Sequence, residues 1–546
     1  MPIAIVVAPK TNSSIFSHQF TVRGLMTIVK NLFLLFFFVS ISFSQRTRPE
    51  ISNYEETSRY QDVRDFIDAL TIDGKILKQS WLGYSAQGKR LPMIVYGDVA
   101  NAKPETIRRS GKLVVYIQGN IHAGEVEGKE AMLELLRELN AGKHAEWKKN
   151  LVLLIVPIFN ADGNDLIGLY NRPRQHGPIA GMGQRENAQG LDLNRDHMKL
   201  ESPEVGSFVK MLNEYDPYVT IDLHTTNGSF HGYHITYSFA LNPMIDPTLD
   251  DFTRTVFFPK VEQRMEAQHW RIHRYGDYLE KTPAGKPGFY YWATEPRFNS
   301  NYVGLRNRLA ILSESYSYIS FQQRIASTKA LVVNILDVVN ADWKLIKETI
   351  RTADDAAKNI ATFDSLAVRA EIVESNSAAE ILLAAVKEER NPYTNEIMYL
   401  MNEDSLKKIV TAEFYSSRAT RKAKVPIQYC IPDSLQEVIT LLREHGIQMT
   451  VLKESQRKKV QRFAIRENKT AEREFQKHTI RTLEGTFESV EQIMPAGTVI
   501  VEMNQPLSRL AFYLLEPESE DGMVAWNFVD NYFGDGKYYP IVKVTE

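Results

Sequence analysis

Two runs of almost unbroken apolar residues constrain the fold of this chain more than any other feature. They read KLVVYIQGN at residues 112–120 and NLVLLIVPIFN at residues 150–160. Neither run shows the polar alternation of a strand with one solvated face, so both are typical of strands buried on two sides in a parallel sheet. The segment between them, at about 126–140, has the apolar spacing of an amphipathic helix. A strand–helix–strand unit of this kind predicts an α/β domain.

The same alternation continues on both sides of this unit. A helix is predicted at 56–70, and a hairpin-like pair of strands around a turn at 87–88. YVTIDLH at 218–224 and LAILSES at 309–315 are predicted to be two more buried strands, and a long helix follows at about 321–347. The predicted fold class is therefore α/β, with a mixed, mostly parallel sheet flanked by helices.

The chain is predicted to divide near residue 345, with the α/β domain assigned to residues 46–345. Charge-rich segments at about 350–390 are interpreted as polar helices, so residues 346–424 are expected to form a helical linker region. A strand–helix–strand pattern at 425–452 and later strand-like segments predict a mixed α/β accessory domain over 425–546 that ends in β structure.

The composition excludes several classes of protein. Of 546 residues, 43% are hydrophobic and 24% are charged, and the mean hydropathy is −0.30. These values are ordinary for a folded soluble protein and exclude a wholly disordered or multi-span membrane chain. The net charge of −2 provides no basic surplus, so no nucleic-acid partner is expected. A single cysteine, Cys430, excludes an intrachain disulfide and Cys-rich metal sites, which leaves His, Asp and Glu as possible metal ligands.

The amino-terminal segment has the pattern of a secretory signal peptide. Lys30 precedes an apolar run at 32–41, and small residues follow it up to Ser44. We predict that residues 1–44 are a leader, that translation starts at Met26, and that cleavage falls near Ser44. The competing interpretation is an uncleaved anchor helix, although the run is short for a membrane span. The mature protein is expected to be secreted or periplasmic, with no stable membrane span.

Polar residues at the ends of three predicted strands indicate a metal site. His122 and Glu125 follow the strand predicted at 112–120, and His224 ends the strand predicted at 218–224. In α/β folds, ligands bind beyond the carboxyl ends of the strands. Two imidazoles and a carboxylate suit a catalytic zinc ion that keeps an open position for water. Glu314, in the strand at 309–315, is the candidate base that takes a proton from this water.

Each of these residues also has a competing interpretation. A histidine at the end of a buried strand, such as His224, is more often a hydrogen-bonded structural residue. Glu314 alone would usually cap a helix or form a salt bridge. His231 and His234 are rival metal ligands, in a segment that alternates like an exposed strand or loop.

The order of five motifs along the chain favours the metal site. They are His122-Ala-Gly-Glu125, Asn160-Ala-Asp-Gly163, the segment from Arg185 to Asn194-Arg195, Asp222-Leu-His224, and Glu314. In this order, over roughly residues 55–340, the sequence resembles the zinc carboxypeptidase family (peptidase family M14, the carboxypeptidase A type). The resemblance implies that His122, Glu125 and His224 bind one Zn²⁺ ion per catalytic domain.

The resemblance also implies how the substrate is held and cleaved. Arg185 matches the family's arginine that polarises the scissile carbonyl, and Glu314 matches the general base. Asn194 and Arg195 match the pair that holds the terminal carboxylate of the substrate. The chemistry agrees, because a guanidinium grips a carboxylate with two hydrogen bonds and an arginine stabilises an oxyanion without titrating.

Two features depart from the family pattern. The mobile tyrosine of the family is matched by Tyr291, and Tyr302 is the rival; the competing interpretation for both is aromatic packing. Asp196 stands where many members have a second Asn, so it is expected to add negative charge near the carboxylate pocket. The residue that sets the side-chain preference lies within 291–312, and the sequence does not identify it.

The sequence therefore predicts a secreted zinc metallocarboxypeptidase that hydrolyses the C-terminal peptide bond by metal-activated water. Its substrate would be a peptide with a free C-terminal carboxylate. The alternative is a zinc amidohydrolase or deacylase that acts on acyl-amino acids or cell-wall peptides. A third class is a binding module that keeps the fold without zinc or catalysis. The accessory domain is expected to pack on the catalytic domain and restrict access to it, and the oligomeric state is not predicted.

Overall fold

The computed structural model describes residues 46–226, 228–359, 363–533 and 536–545, together with Ala4. Apart from Ala4, the expected leader with its start at Met26 lies outside the described residues, so its interpretation stays a prediction. No described helix combines the length and apolar character needed to cross a membrane. Residues Thr47–Glu546 form one compact unit.

A mixed sheet of eight strands lies at the centre of this unit. In the described residues the first ten strands are β1 (Leu77–Tyr84), β2 (Arg90–Tyr96), β3 (Leu113–Gly119), β4 (Leu151–Val156), β5 (Val219–Thr225), β6 (Ile235–Phe239), β7 (Ile272–Arg274), β8 (Asp277–Leu279), β9 (Gly288–Tyr290) and β10 (Leu309–Ser315). All but β8 and β9 join this sheet, in the spatial order β1-β2-β4-β3-β5-β10-β6-β7. The four central strands are parallel to one another, and β2 and β6 pair with them antiparallel. The predicted mixed, mostly parallel sheet is confirmed.

The strands predicted from the apolar runs are all present. β3 and β4 lie within the runs at 112–120 and 150–160, and every residue of both strands is buried. β1 and β2 form the predicted antiparallel hairpin, whose turn places Gly88 at φ 80°, a conformation that favours glycine.

Helices flank the sheet, as predicted. In chain order they are α1 (Arg48–Ile51), α2 (Tyr60–Thr71), α3 (Pro104–Arg109), α4 (Glu127–Asn140), α5 (Ala161–Asp165), α6 (Pro203–Tyr215), α7 (Pro247–Asp251), α8 (Phe258–Ala267), α9 (Asn299–Leu305), α10 (Phe321–Ala341) and α11 (Trp343–Lys358). α4 packs against β3, β5 and α10, and α6 packs against β1. The single helix expected at 321–347 is two helices, because Asp342 leaves the helical conformation (φ −100°, ψ 17°) and its carboxylate pairs with Lys260 Nζ at 2.5 Å.

The remaining chain adds more strands. They are β11 (Ser365–Val373), β12 (Ala379–Leu383), β13 (Val386–Arg390), β14 (Ile397–Met401), β15 (Lys407–Phe414), β16 (Ser416–Lys424), β17 (Gln428–Ile431), β18 (Thr450–Val451), β19 (Gln456–Thr470), β20 (Arg481–Met494), β21 (Val499–Glu502) and β22 (Val542–Val544), with helices α12 (Gln436–Glu444) and α13 (Ser508–Leu515). The predicted strand–helix–strand unit at 425–452 is confirmed as β17, α12 and β18. Among the later segments that were interpreted as strand-like, residues 508–515 instead form the buried helix α13. A short apolar run does not distinguish a buried helix from a buried strand.

The helical linker expected over 346–424 is wrong beyond Lys358. α11 ends there, and the described residues that follow form strands, among them the antiparallel ribbon of β11 and β16. These strands expose many charged side chains, so their composition resembles that of a solvated helix. Strand formation depends on the partner strand, which a local charge pattern does not reveal.

The strands after residue 363 also complete a sheet that begins before residue 345. β15 pairs in parallel with β9, and the sheet has the order β12-β15-β9-β8. The boundary expected at 345/346 falls inside α11. The region that was expected to be a linker is therefore joined to the α/β region by strand pairing.

Candidate metal centre and substrate cavity

Three strand ends meet at one edge of the main sheet. β3, β5 and β10 are neighbouring parallel strands, and the register pairs His224 on β5 with Glu314 on β10. After β3 the chain turns at Asn120, which takes the left-handed conformation (φ 68°) that Asn tolerates. The turn leads directly into His122 and Glu125. The fold thus brings together the four residues that the sequence analysis placed in one site.

His122, Glu125 and His224 form a buried group whose ligand atoms all lie within 4.8 Å of one another. The Nδ1 atom of His122 lies 3.0 Å from one carboxylate oxygen of Glu125. The Nδ1 atom of His224 lies 2.9 Å from the other.

The opposite nitrogen of each ring faces another carboxylate. The Nε2 atom of His122 lies 3.0 Å from Asp192 Oδ1, and the Nε2 atom of His224 lies 2.9 Å from Asp222 Oδ2. A carboxylate beside Nε2 favours the proton on that nitrogen, which leaves the lone pair of Nδ1 directed at Glu125. Two lone pairs and a carboxylate facing one another repel unless a proton or a metal cation lies between them. The donor set of two nitrogens and one carboxylate therefore fits a zinc ion.

Ionic contacts keep this buried group charged. Burial alone would raise the pKa of Glu125, but its contacts with His122 and Arg172 hold it well below its ordinary value. Arg172 Nη2 donates to Glu125 Oε1 at 2.7 Å. A side chain at Gly124 would collide with Arg172 and with the backbone of Gly183, so the glycine of the His-Ala-Gly-Glu motif allows this arginine to approach.

Glu314 differs from the other carboxylates of the site because one of its oxygens has no partner. Its side chain is buried, and Oε2 makes no hydrogen bond. Burial raises the pKa of Glu314 to about 8, with His224 opposing this rise and the negative charge of Glu125 adding to it. A carboxyl group with a free oxygen and a raised pKa is suited to exchange protons near neutral pH.

The loop from Arg185 to Arg195 forms one wall of the site. Arg185 Nε donates to Asp192 Oδ2 at 2.8 Å, and its Nη1 lies 3.8 Å from Glu125 Oε1. Asn194 donates its backbone N–H to Asp192 Oδ1 at 2.9 Å. The guanidinium of Arg195 lies over the ring of Phe298, 4.1 Å from the ring centroid.

These residues surround a cavity of about 220 Å³. Its lining residues are His122, Glu125, Arg185, Asn194, Arg195, His224, Thr225, Tyr275, Tyr291, Trp292, Ala293, Phe298, Leu312 and Glu314. The carboxylates among these lining residues are those of Glu125 and Glu314, and the lining also includes aromatic and apolar side chains. The cavity therefore offers two arginines and an asparagine to an anionic group and an apolar wall to a side chain.

The two candidate tyrosines are placed differently. Tyr291 lines the cavity, but it is buried and its hydroxyl bonds to Ser238. Tyr302 does not line the cavity: it is fully buried, and its hydroxyl lies 2.8 Å from His445 Nδ1. The rival assignment to Tyr302 is therefore corrected to a packing role. Trp292, by contrast, lines the cavity and is 55% exposed.

Asp196 does not add charge to the cavity. It is fully buried and pairs with Lys199 Nζ at 2.7 Å. Its other carboxylate oxygen accepts from the backbone N–H and the hydroxyl of Ser202, just before α6. The expectation for Asp196 is wrong because neighbouring donors neutralise its charge.

The rival ligands His231 and His234 do not join a metal group within the described residues. His231 Nδ1 accepts from the backbone N–H of Tyr233 at 3.2 Å, and burial lowers the pKa of His231 to about 3. His234 Nδ1 accepts from the backbone N–H of Arg271 at 3.0 Å. Both rings therefore have structural hydrogen bonds.

The sequence analysis assigned no role to three residues that contact the metal group directly. Asp192 and Asp222 bind the outer nitrogens of the two histidines, and each stands two residues before a site residue, in Asp-Leu-Asn194 and Asp-Leu-His224. That spacing was a usable signal, because ligating histidines usually donate their second N–H to a carboxylate. Arg172 had no local signal, since it approaches Glu125 from a separate loop.

Comparisons with known proteins show which proteins this chain is similar to. Residues 63–238 match the family model described as zinc carboxypeptidase. Carboxypeptidase 2 of Trichophyton tonsurans is 24% identical over 495 residues, covering 85% of this chain and 83% of that protein. Carboxypeptidase 2 of Trichophyton rubrum is 23% identical over 493 residues, with the same coverage of both chains.

Two of the solved structures to which this chain is similar are also carboxypeptidases. A metallo-carboxypeptidase from Pseudomonas aeruginosa, in complex with (2-guanidinoethylmercapto)succinic acid, is 16% identical with a TM-score of 0.39, over 53% of this chain and 69% of that one. Carboxypeptidase A from Helicoverpa armigera is 14% identical with a TM-score of 0.40, over 53% of this chain and 75% of that one.

Proposed function

We propose that this chain is a metallocarboxypeptidase of the zinc carboxypeptidase family, that His122, Glu125 and His224 hold its zinc ion, and that it removes the C-terminal residue of peptides. The observation that carries this proposal is a single cavity that combines the buried ligand group, a carboxyl with an unpartnered oxygen, and two arginines. Zinc bound there would polarise a carbonyl oxygen and lower the pKa of water.

Glu314 would move the protons. Its unpartnered Oε2 can accept a proton from the attacking water. The same oxygen can then deliver that proton to the leaving amine, because a group that acts as base in one step acts as acid in the next. The apolar surroundings that raise its pKa also make it a stronger base than an exposed glutamate.

Arg195 and Asn194 would fix the terminal carboxylate of the peptide. Phe298 and Asn299 hold them in place, through the ring beneath Arg195 and through a backbone N–H that donates to Asn194 Oδ1 at 2.9 Å. Arg185 is anchored through Nε by Asp192, which leaves its outer nitrogens to stabilise negative charge that develops on the scissile carbonyl.

Replacing Arg195 with alanine is expected to raise KM for peptides with a free C-terminal carboxylate by about 10- to 100-fold, the effect of losing a charged hydrogen-bonding pair. Amidated peptides lack this carboxylate, so their slow cleavage should change little. Steady-state kinetics on one peptide in both forms makes the measurement. An equal loss on both forms would contradict the assignment of Arg195 to the carboxylate.

The function is tested by measuring zinc stoichiometry and the products released from a mixed peptide library, with and without a chelator. We expect about one zinc ion per chain and free C-terminal amino acids that disappear on chelation. Release of acyl groups without free C-terminal residues would identify the amidohydrolase or deacylase instead. A protein that binds no zinc would be the binding module.

Export is the second part of the proposal. The apolar run at 32–41, behind Lys30, supports it, since this pattern is typical of a signal peptide. Expressed in a secreting host, the protein is expected in the exported fraction with a new amino terminus near Gln45. Amino-terminal sequencing of that fraction makes the measurement, and an exported chain that still carries residues 26–44 would support the anchor helix.

A further inference from the structure

A tight turn at the tip of the β19–β20 hairpin reaches the loop that forms the cavity wall. Phe475 and His478 exchange both backbone hydrogen bonds, so Gln476 and Lys477 are the two central residues of the turn. Both have positive φ, 51° and 65°. This is the backbone of a two-residue hairpin turn, which usually requires Gly or Asn because other side chains are strained there.

Three consecutive residues of this turn bind the loop or the segment that follows it. Gln476 Oε1 accepts the backbone N–H of Asp192 at 2.9 Å. Lys477 Nζ donates to the carbonyl of Gln189 at 2.6 Å, and His478 Nε2 lies 2.8 Å from Glu201 Oε1. The strained turn is thus held against the segment from Gln189 to Glu201.

Asp192 is the residue of this loop that contacts a proposed zinc ligand and two of the proposed substrate-binding residues. One of its carboxylate oxygens faces His122 Nε2 and accepts the backbone N–H of Asn194, and the other accepts Arg185 Nε. Fixing the backbone of Asp192 therefore fixes both the carbonyl-polarising arginine and the start of the Asn194-Arg195 pair.

The same turn also contacts the residue that precedes Phe298. The guanidinium of Arg297 lies 5.4 Å from the ring centroid of Phe475 and 5.2 Å from that of Trp526. The backbone N–H of Arg297 donates to the carboxylate of Asp521. The next residue, Phe298, is the ring beneath Arg195.

We propose that Gln476 is a positioning residue for the peptidase site. By accepting the backbone N–H of Asp192, it holds Asp192 where Arg185, Asn194 and Arg195 can act together on the substrate. The C-terminal region then completes the site rather than only covering it. This proposal rests on the proposed carboxypeptidase function.

The test compares Gln476→Leu, which removes the acceptor, with Gln476→Glu, which keeps an acceptor oxygen at the same place. The matched control is Glu474→Gln, a change at an exposed position of the same tip. All are measured as full-length, zinc-loaded protein for kcat, KM, zinc stoichiometry and Tm.

We expect Gln476→Leu to lower kcat/KM by about 3- to 10-fold, the effect of one lost hydrogen bond. The loss should appear in both kcat and KM for peptides with a free carboxylate, because Asp192 anchors Arg185 as well as the start of the Asn194-Arg195 pair. Zinc content and Tm should be unchanged. The kcat/KM of Gln476→Glu should lie within about twofold of that of the starting protein. The control Glu474→Gln should have the same kcat/KM as the starting protein.

Three results would overturn the proposal: unchanged kinetics in Gln476→Leu, equal losses in the Leu and Glu variants, or a loss that tracks a fall in Tm. Each would show that the side chain only packs. Failure of the starting protein to cleave any peptide would instead refute the proposed function, so the two failures are distinguishable.

Discussion

Replacing Glu314 with glutamine is expected to lower kcat by about 10²- to 10⁴-fold, the range contributed by general acid–base catalysis, while zinc remains bound. Glutamine keeps the shape of the side chain but cannot take a proton from water. The folded protein should tolerate the change, because the carboxyl of Glu314 is buried with an unpartnered oxygen and a neutral amide costs less to bury than a charge. Steady-state kinetics, zinc stoichiometry and Tm are the measurements.

The control for this change is Glu134→Gln. Glu134 is 8% exposed, as is Glu314, but it lies on α4 and pairs with Lys329 Nζ at 2.7 Å. The Glu134→Gln variant should have an unchanged kcat. Near-normal turnover in Glu314→Gln would show that the base lies elsewhere and that the role carried over from the family is wrong.

The convergence of the proposed ligands could be predicted from the sequence because one physical rule places them. Parallel strands end at the same edge of a sheet, so His122, His224 and Glu314 had to lie near one another once β3, β5 and β10 were neighbours. The unbroken apolar runs identify those strands as central. The resemblance of the motif order to the zinc carboxypeptidase family then implied a role for each of these residues.

What could not be predicted depends on contacts between distant segments. Asp192 and Gln476 are 284 residues apart, and no local pattern links a loop to a hairpin tip at that separation. Tyr302 matched the position of a substrate-contacting tyrosine in the sequence, but in the fold its hydroxyl contacts His445, which comes from the C-terminal region. The strands β11 to β16 were mistaken for polar helices for the same reason, because a charged strand is recognised by its partner and not by its composition.

Replacing His122 with alanine is expected to remove the metal itself, since two remaining ligands rarely hold zinc tightly. Zinc stoichiometry should fall from about one per chain to near zero, and peptide release should fall at least as far as in Glu314→Gln. Chelation of the starting protein should have the same effect, and added zinc should reverse it. Added zinc should not rescue His122→Ala.

Thermal stability gives an independent measure of the same site. An ion that binds only the folded state raises Tm, and here it would also neutralise the buried carboxylate of Glu125 between the two imidazoles. Chelation should therefore lower the Tm of the starting protein, whereas the Tm of His122→Ala should not respond to zinc.

The control is His234→Ala, which removes a rival ligand that is buried to a similar degree and bonds to the backbone N–H of Arg271. That variant should keep its zinc, because the rival lies outside the ligand group. Loss of zinc in His234→Ala with retention in His122→Ala would place the metal centre at the other histidines and refute the assignment made here.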